Sequence, residues 1–314
     1  MADPARRTFP IAASDGATVT ATALGEDRGP MFVLLPALGI AAGYYEPFAA
    51  QLAQRTGGTV VLADLRGQGT SDAHPRRADF GYREMLEHDF PALFEAVSSR
   101  FPERALVVVG HSLGGQLATM YAGHFPPQVK GLVLVASGTT HTAAWEGYRR
   151  YAAAAYTAVI RGAARVLPWY PGRVFGFGND HPRRLIRDWG HVVRTGRYRP
   201  EGSAIDYESS CVAATMPVLS VGVGGDQLAP RLARQALVDR LRRAPSQTVE
   251  VPRPEGSTNW RAHFAWARRP AHVVESIATW LERQPAQRAS NESRDALPSA
   301  SASTSGLADA KSRP

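Results

Sequence analysis

Short runs of β-branched and other apolar residues alternate with longer amphipathic stretches along most of the chain, a rhythm that predicts a mostly parallel sheet covered by helices. Two strands are expected near the start, around Phe9 to Ala13 and Thr18 to Leu24. Continuous apolar runs follow at Met31 to Ala37, Thr59 to Leu65, Ala105 to Ser112, Gly131 to Ser137, Pro217 to Val223 and Thr248 to Pro252. Runs of this length without polar alternation read as strands buried on both faces. Between them the helical period predicts helices near Tyr44 to Gln54, Tyr82 to Ser99, from Leu113 onward, Arg231 to Arg242 and Pro270 to Glu282. The rhythm stops between Ser137 and Pro217. That segment reads as helix and loop rich in Trp, Tyr, Phe and Arg, interrupted by Pro168, Pro171 and Pro182, so several helices are expected over the sheet. From Gln284 the chain becomes polar and Ser/Ala-rich without apolar periodicity. Residues 284–314 therefore read as a disordered tail.

The elements place one pentapeptide in a telling position. GHSLG, Gly110 to Gly114, lies where a β-branched run meets a helical one. In that setting GxSxG makes a sharp strand-to-helix turn that lifts the serine hydroxyl clear of the sheet, and small flanking residues avoid the clash. Ser112 is thus the candidate nucleophile. A serine hydroxyl needs a histidine base and a carboxylate to hold the base's tautomer, supplied in this architecture by later strand ends in the order Ser, acid, His. Asp226 in GGDQLAP follows the Pro217 strand. His263 is the histidine between the last strand and the final helix. His111 is expected to point away from the hydroxyl, and His88, His124, His181 and His191 read as surface or packing residues. Asp206 and Asp239 fall in the insertion and in a helix, not at a strand end. Backbone donors for a developing oxyanion are expected at Leu113, after the nucleophile, and at Leu38 in LPALGIAAGYY. His141, Trp145 and Trp189 are candidate substrate contacts. The wider aromatic set, with Trp169, Tyr170, Phe175 and Phe177, either packs the inserted helices or faces an apolar pocket. In DLRGQGTS, Gly67 and Gly69 are read as making a turn that Arg66 anchors, in preference to direct substrate contact.

Composition narrows the rest. Of 314 residues 44% are apolar and 20% charged, enough to bury a core. The formal charge is +8, yet all but two of the 36 cations are arginines, Lys130 and Lys311 being the exceptions, and they are scattered. No phosphate-cradling GxxxxGK[ST] loop, zinc-finger spacing or RNA-recognition motif is present, so no nucleic-acid partner is expected. The single cysteine, Cys211, excludes an intramolecular disulfide framework and a Cys-based zinc cluster, and it reads as a small buried filler. No cofactor or metal is implied. Neither a secretory signal nor a membrane span is expected, because Arg161 and Arg165 break the most apolar helical stretch, and the reading is of a cytoplasmic protein.

Taken together, GHSLGG (Gly110 to Gly115), DLRGQGTS, the GDQLAP acid loop and the late histidine resemble the α/β-hydrolase superfamily across residues 8–283. The closer likeness is to bacterial serine hydrolases related to the serine aminopeptidase and lysophospholipase-like branch. The resemblance implies an eight-stranded, mostly parallel sheet with helices on both faces. It also implies a core of residues 1–137 and 216–283, with a helical lid over 138–215 inserted after the sixth strand. Many relatives begin the oxyanion loop with His-Gly, where this chain has Pro36 and Ala37. The expected chemistry is cleavage of a small or apolar carboxylic ester through an acyl-enzyme on Ser112, His263 and Asp226. Acyl transfer, thioester cleavage or aminopeptidase-like amide hydrolysis on the same residues, or ligand binding without turnover, are the alternatives. The oligomeric state is left open.

Overall fold

The central strands of the sheet are largely apolar because helices cover both of its faces. The computed structural model describes residues 5–26, 28–175 and 179–284. The strands are β1 (Arg6–Ala12), β2 (Thr18–Gly25), β3 (Met31–Leu35), β4 (Thr59–Leu62), β5 (Leu106–His111), β6 (Val129–Val135), β7 (Trp169–Tyr170), β8 (His181–Pro182), β9 (Val218–Val223) and β10 (Ser246–Val251). Eight of them form one sheet in the order β1-β2-β4-β3-β5-β6-β9-β10. β2 pairs antiparallel with β1 and β4, and every later neighbour is parallel. All residues of β3, β4, β5 and β9 are buried, whereas the edge strands β1 and β10 alternate with solvent. Parallel pairing brings the carboxyl ends of β3, β5, β6 and β9 to one edge, where loops and helix starts meet.

The helices are α1 (Glu46–Thr56), α2 (Tyr82–Glu84), α3 (Phe90–Arg100), α4 (Leu113–Tyr121), α5 (Tyr148–Val166), α6 (Gly172–Phe175), α7 (Arg183–Thr195), α8 (Tyr207–Ala213), α9 (Arg231–Val238), α10 (Ala262–Ala265) and α11 (Ala271–Glu282). Several element ends shift by a few residues from the sequence reading, and two differences have a local cause. The Thr59 strand ends at Leu62, where the chain turns toward Asp64. The helix expected over Tyr82 to Ser99 contains a π-helical turn, Met85–Asp89, in which the Phe90 amide reaches the Met85 carbonyl. Pro91 explains it: without an amide hydrogen it cannot continue the ladder, and the wider turn absorbs the gap.

The insertion between β6 and β9 contains α5 to α8 and the antiparallel β7–β8 pair. Two of its ties to the core run through buried groups. The Asp188 carboxylate in α7 accepts the Tyr82 amide at 2.8 Å, and the Leu185 amide donates to the Phe80 carbonyl. In α8, Ser210 Oγ donates to the Met120 carbonyl and Cys211 Sγ to that of Thr119, both in α4. Cys211 is buried, as expected of a small filler. Backbone contacts divide the chain into Met1–Ala278 and Thr279–Pro314, and the described part of the second unit is the end of α11 with the residues to Gln284. Beyond Gln284, the segment read as a disordered tail lies outside the described residues. No described helix is long and apolar enough to cross a membrane.

Candidate active site

β5 runs into α4 with one residue between them. Ser112 sits there at φ 51° and ψ −114°, a backbone conformation that a residue with a Cβ adopts only at a cost of roughly 1–3 kcal/mol. The turn closes because its neighbours lack side chains. A Cβ on Gly114 would stand 2.1 Å from the Leu35 carbonyl oxygen, and one on Gly110 would stand 2.4 Å from the Gly115 Cα. The Ser112 carbonyl accepts the Gly115 and Gln116 amides, each at 3.1 Å, and the Ser112 amide reaches the Val135 carbonyl on the adjacent strand.

Asp226 lies just past β9, in a turn closed by its own amide on the Val223 carbonyl. Its Oδ1 accepts the Leu228 and Ala229 amides at 2.8 and 3.1 Å, and its Oδ2 accepts Nδ1 of His263 at 2.8 Å. Those three bonds hold both carboxylate oxygens in place. Since the carboxylate only accepts, the proton sits on Nδ1 of His263 and leaves Nε2 with a lone pair. Both side chains are almost wholly buried, His263 at 3% and Asp226 at 0% exposure. The His263 ring lies 4.9 Å, centroid to centroid, from the His111 ring, which seats it beside the residue that precedes Ser112. Among the described residues no hydrogen bond joins Ser112 Oγ to His263.

His111, expected to point away from the Ser112 hydroxyl, has its ring in the interior beside His263. Fully buried, its ring is enclosed by Tyr45, His263, Phe264 and Trp266. Its Nδ1 lies 2.7 Å from the Tyr45 hydroxyl, which also accepts the Ala37 amide at 3.0 Å. The phenol thus accepts one bond and shares a second with His111 Nδ1, whose direction follows the tautomer of the ring. Burial pushes the His111 pKa well below the usual histidine value, reinforced by the charge His263 can carry, and burial pushes the Tyr45 phenol up. The sequence signal for this pair was GHSLG itself together with the aromatic residues of GIAAGYYEPF.

The Tyr45 bond also bears on the expected oxyanion donors. It occupies the Ala37 amide, while no partner for the amides of Leu38 or Leu113 is found among the described residues. Leu113 is the first residue of α4, whose opening amides have no acceptor within the helix. Leu38 precedes Gly39, which turns the loop at φ 76°.

The candidate substrate contacts are held by the insertion. His141 places Nδ1 3.1 Å from the Val193 carbonyl, and its ring lies so close to Gly196 that a Cβ there would meet Cδ2 at 2.9 Å. Trp145 borders a cleft of about 240 Å³ with Pro230, Arg231 and Leu232, and its buried indole nitrogen has no partner. Trp189 is half-buried against the main core. Trp169 faces the Arg76 guanidinium, 5.2 Å from the ring centroid, and Tyr170 is buried. Phe177 and the side chain of Phe175 lie outside the described residues.

DLRGQGTS is built as an anchor. Arg66, 7% exposed, bonds the carboxylates of Asp15 and Asp89. Asp64 accepts the Ala42 and Thr70 amides at 2.6 and 2.8 Å, tying this turn to the segment after the Leu38 loop. No group of three or more His, Cys, Asp or Glu residues able to hold a metal ion occurs among the described residues.

Comparison with known proteins places this geometry in a family. A segment of 110 residues is 38% identical to the pimeloyl-(acyl-carrier protein) methyl ester esterase of Chromobacterium violaceum, covering 35% of this chain and 38% of the relative. The chain thus spans about two fifths of that relative's length. The enzyme of the same name from Aeromonas hydrophila is 26% identical over 262 residues, 80% of this chain and 94% of the relative. An esterase of Pyrococcus furiosus superposes with a TM-score of 0.57 at 14% identity, covering 89% of this chain and 91% of that one, a likeness of fold. Residues 30–256 match the alpha/beta hydrolase fold family over a range that contains β3 to β10, Ser112 and Asp226, and the chain belongs to that family.

Proposed function

We propose that this chain is a serine hydrolase that cleaves a carboxylic ester of a small or apolar acyl group through an acyl-enzyme. The observation that carries the reading is the His263 Nδ1 to Asp226 Oδ2 bond at 2.8 Å, which leaves the lone pair of His263 Nε2 available as a base beside the strained Ser112 turn. Ser112 Oγ attacks the ester carbonyl while its proton passes to His263 Nε2. The Leu38 and Leu113 amides receive the oxyanion, the arrangement whose single donors are worth about 10² to 10³ in turnover. His263 then gives the proton to the departing alkoxide, leaving the acyl group on Ser112. Water, deprotonated by His263, attacks that ester, and return of the proton to Ser112 releases the carboxylic acid. Asp226 orients the ring and stabilises its cation. The insertion acts as a lid whose aromatic residues, among them Trp145 and Trp189, meet the acyl chain. Two relatives named as methyl ester esterases favour an ester over an amide.

Labelling with a fluorophosphonate probe, read by intact mass, tests the reading. One adduct on the wild-type chain, absent from Ser112→Ala and from His263→Ala, is expected. Labelling that persists in Ser112→Ala places the nucleophile elsewhere. A folded wild-type chain that resists both this probe and a small sulfonyl fluoride is a ligand-binding member of the fold.

A further inference from the structure

A cleft of about 290 Å³ opens in the insertion, away from the residues assigned to ester cleavage. Arg161 and Arg165 from α5, Arg187, His191 and Arg194 from α7, and Arg199 line it, together with two carboxylates, Asp188 and Glu201. The spacing of four puts Arg161 and Arg165 on one face of α5, and His191 stands four residues after Arg187 on α7. The two helices meet at Gly190, where the stem of Arg161 crosses so closely that a Cβ would lie 2.6 Å from its Cγ. The arginine is thus held in place by backbone packing.

The positive charge in this cleft is poorly matched. Glu201 pairs with Arg187 at 2.8 Å. Asp188 turns its two oxygens to the backbone amides of Tyr82 and Glu201, each at 2.8 Å. No ion pair joins Arg161, Arg165, Arg194 or Arg199 to a carboxylate among the described residues. Nε of Arg187 and Nε2 of His191 are buried without hydrogen-bond partners among the described residues. Burial, and then the charges of Arg165 and Arg194, lower the Arg161 pKa; burial followed by four surrounding arginines lowers that of His191. Like charges packed at this density repel one another, and a bound anion removes the repulsion while filling the open donors.

We infer that this cleft binds a phosphate group, free or carried by a larger molecule, with Arg161 and Arg194 as its main ligands and His191 and Arg187 completing the cradle. Guanidinium forks match phosphate oxygens two at a time, and the concave site admits a compact multivalent anion. The site stands apart from ester cleavage, and its test reads binding and melting temperature, not turnover.

Isothermal titration of the full chain with inorganic phosphate and with phenyl phosphate, at constant ionic strength set by sodium chloride, is the experiment. Saturable binding of at least one of them is expected, weakened about tenfold or more in Arg161→Gln/Arg194→Gln. Equal affinity for the two identifies free phosphate as sufficient; tighter phenyl phosphate identifies a phosphate on a larger molecule. The same double variant, free of repulsion, melts at or above the wild-type temperature without phosphate. Should it fail to fold, Arg194→Gln alone, at an exposed position, takes its place with an expected weakening of about fivefold. Absence of binding to the wild type, or equal binding by wild type and folded variant, overturns the inference.

Discussion

The Tyr45 hydroxyl lies 2.7 Å from Nδ1 of His111 and accepts the Ala37 amide at 3.0 Å, so one buried phenol joins the Leu38 loop to the ring that backs His263. Tyr45→Phe keeps the ring and strands both partners. Unmatched buried polar groups cost about 1–3 kcal/mol, to be read from urea unfolding. Because His111 seats His263, turnover of a small ester falls about tenfold as the ring loses its placement, with KM nearly unchanged.

The same histidine makes stability depend on pH. Its folded pKa lies well below the unfolded value near 6.5, first because burial penalises the charged ring and then because His263 stands beside it. Above about pH 6.5 both states hold a neutral ring and the group contributes no slope. Below it the unfolded chain binds the extra proton, so stability falls as the pH drops from about 6.5 toward the depressed folded value. Urea midpoints between pH 7.5 and 5 should fall less in His111→Gln than in the wild type.

Asp226 holds the tautomer of His263 through a single bond of 2.8 Å. Asp226→Asn presents an amide hydrogen or a weaker acceptor at Nδ1 and favours the wrong tautomer. Ester turnover is expected to fall about 10⁴-fold, with near-wild-type circular dichroism.

At the elbow, a Cβ on Gly115 would stand 2.1 Å from Ser137 Oγ and 2.6 Å from its Cβ. Gly115→Ala is therefore expected to lose about 3 kcal/mol. Ser137→Gly removes the obstructing atoms. The double variant recovers part of the loss, giving a coupling of at least about 1 kcal/mol in a double-mutant cycle.

Arg66→Ala leaves Asp15 and the largely buried Asp89 without their shared cation. Removing one partner of such a group costs about 3–5 kcal/mol. KM for a small ester, measured where the variant is still folded, stays at the wild-type value if Arg66 is an anchor; a large rise in KM would instead place it against substrate.

The elements and the Ser112 turn were legible because their signals are local. Val107, Val108 and Val109 followed by Gly110 and Gly114 state strand, turn and helix within eight residues, and the strand-end rule then picks out Asp226 and His263 by order along the chain. The tertiary structure decided what no local period encodes. It set the π-helical turn where Pro91 breaks a ladder, and it turned His111 inward between Tyr45 and His263. The Arg66 guanidinium meets carboxylates 51 and 23 positions away. Arg161 and Arg194 looked like scattered charges until α5 and α7 met at Gly190. Hydrophobic periodicity states which face of an element turns inward, but many partners satisfy that face equally well. Which polar groups become neighbours is settled by packing between distant segments, where side-chain volume and unmatched hydrogen bonds separate arrangements that have the same sequence pattern.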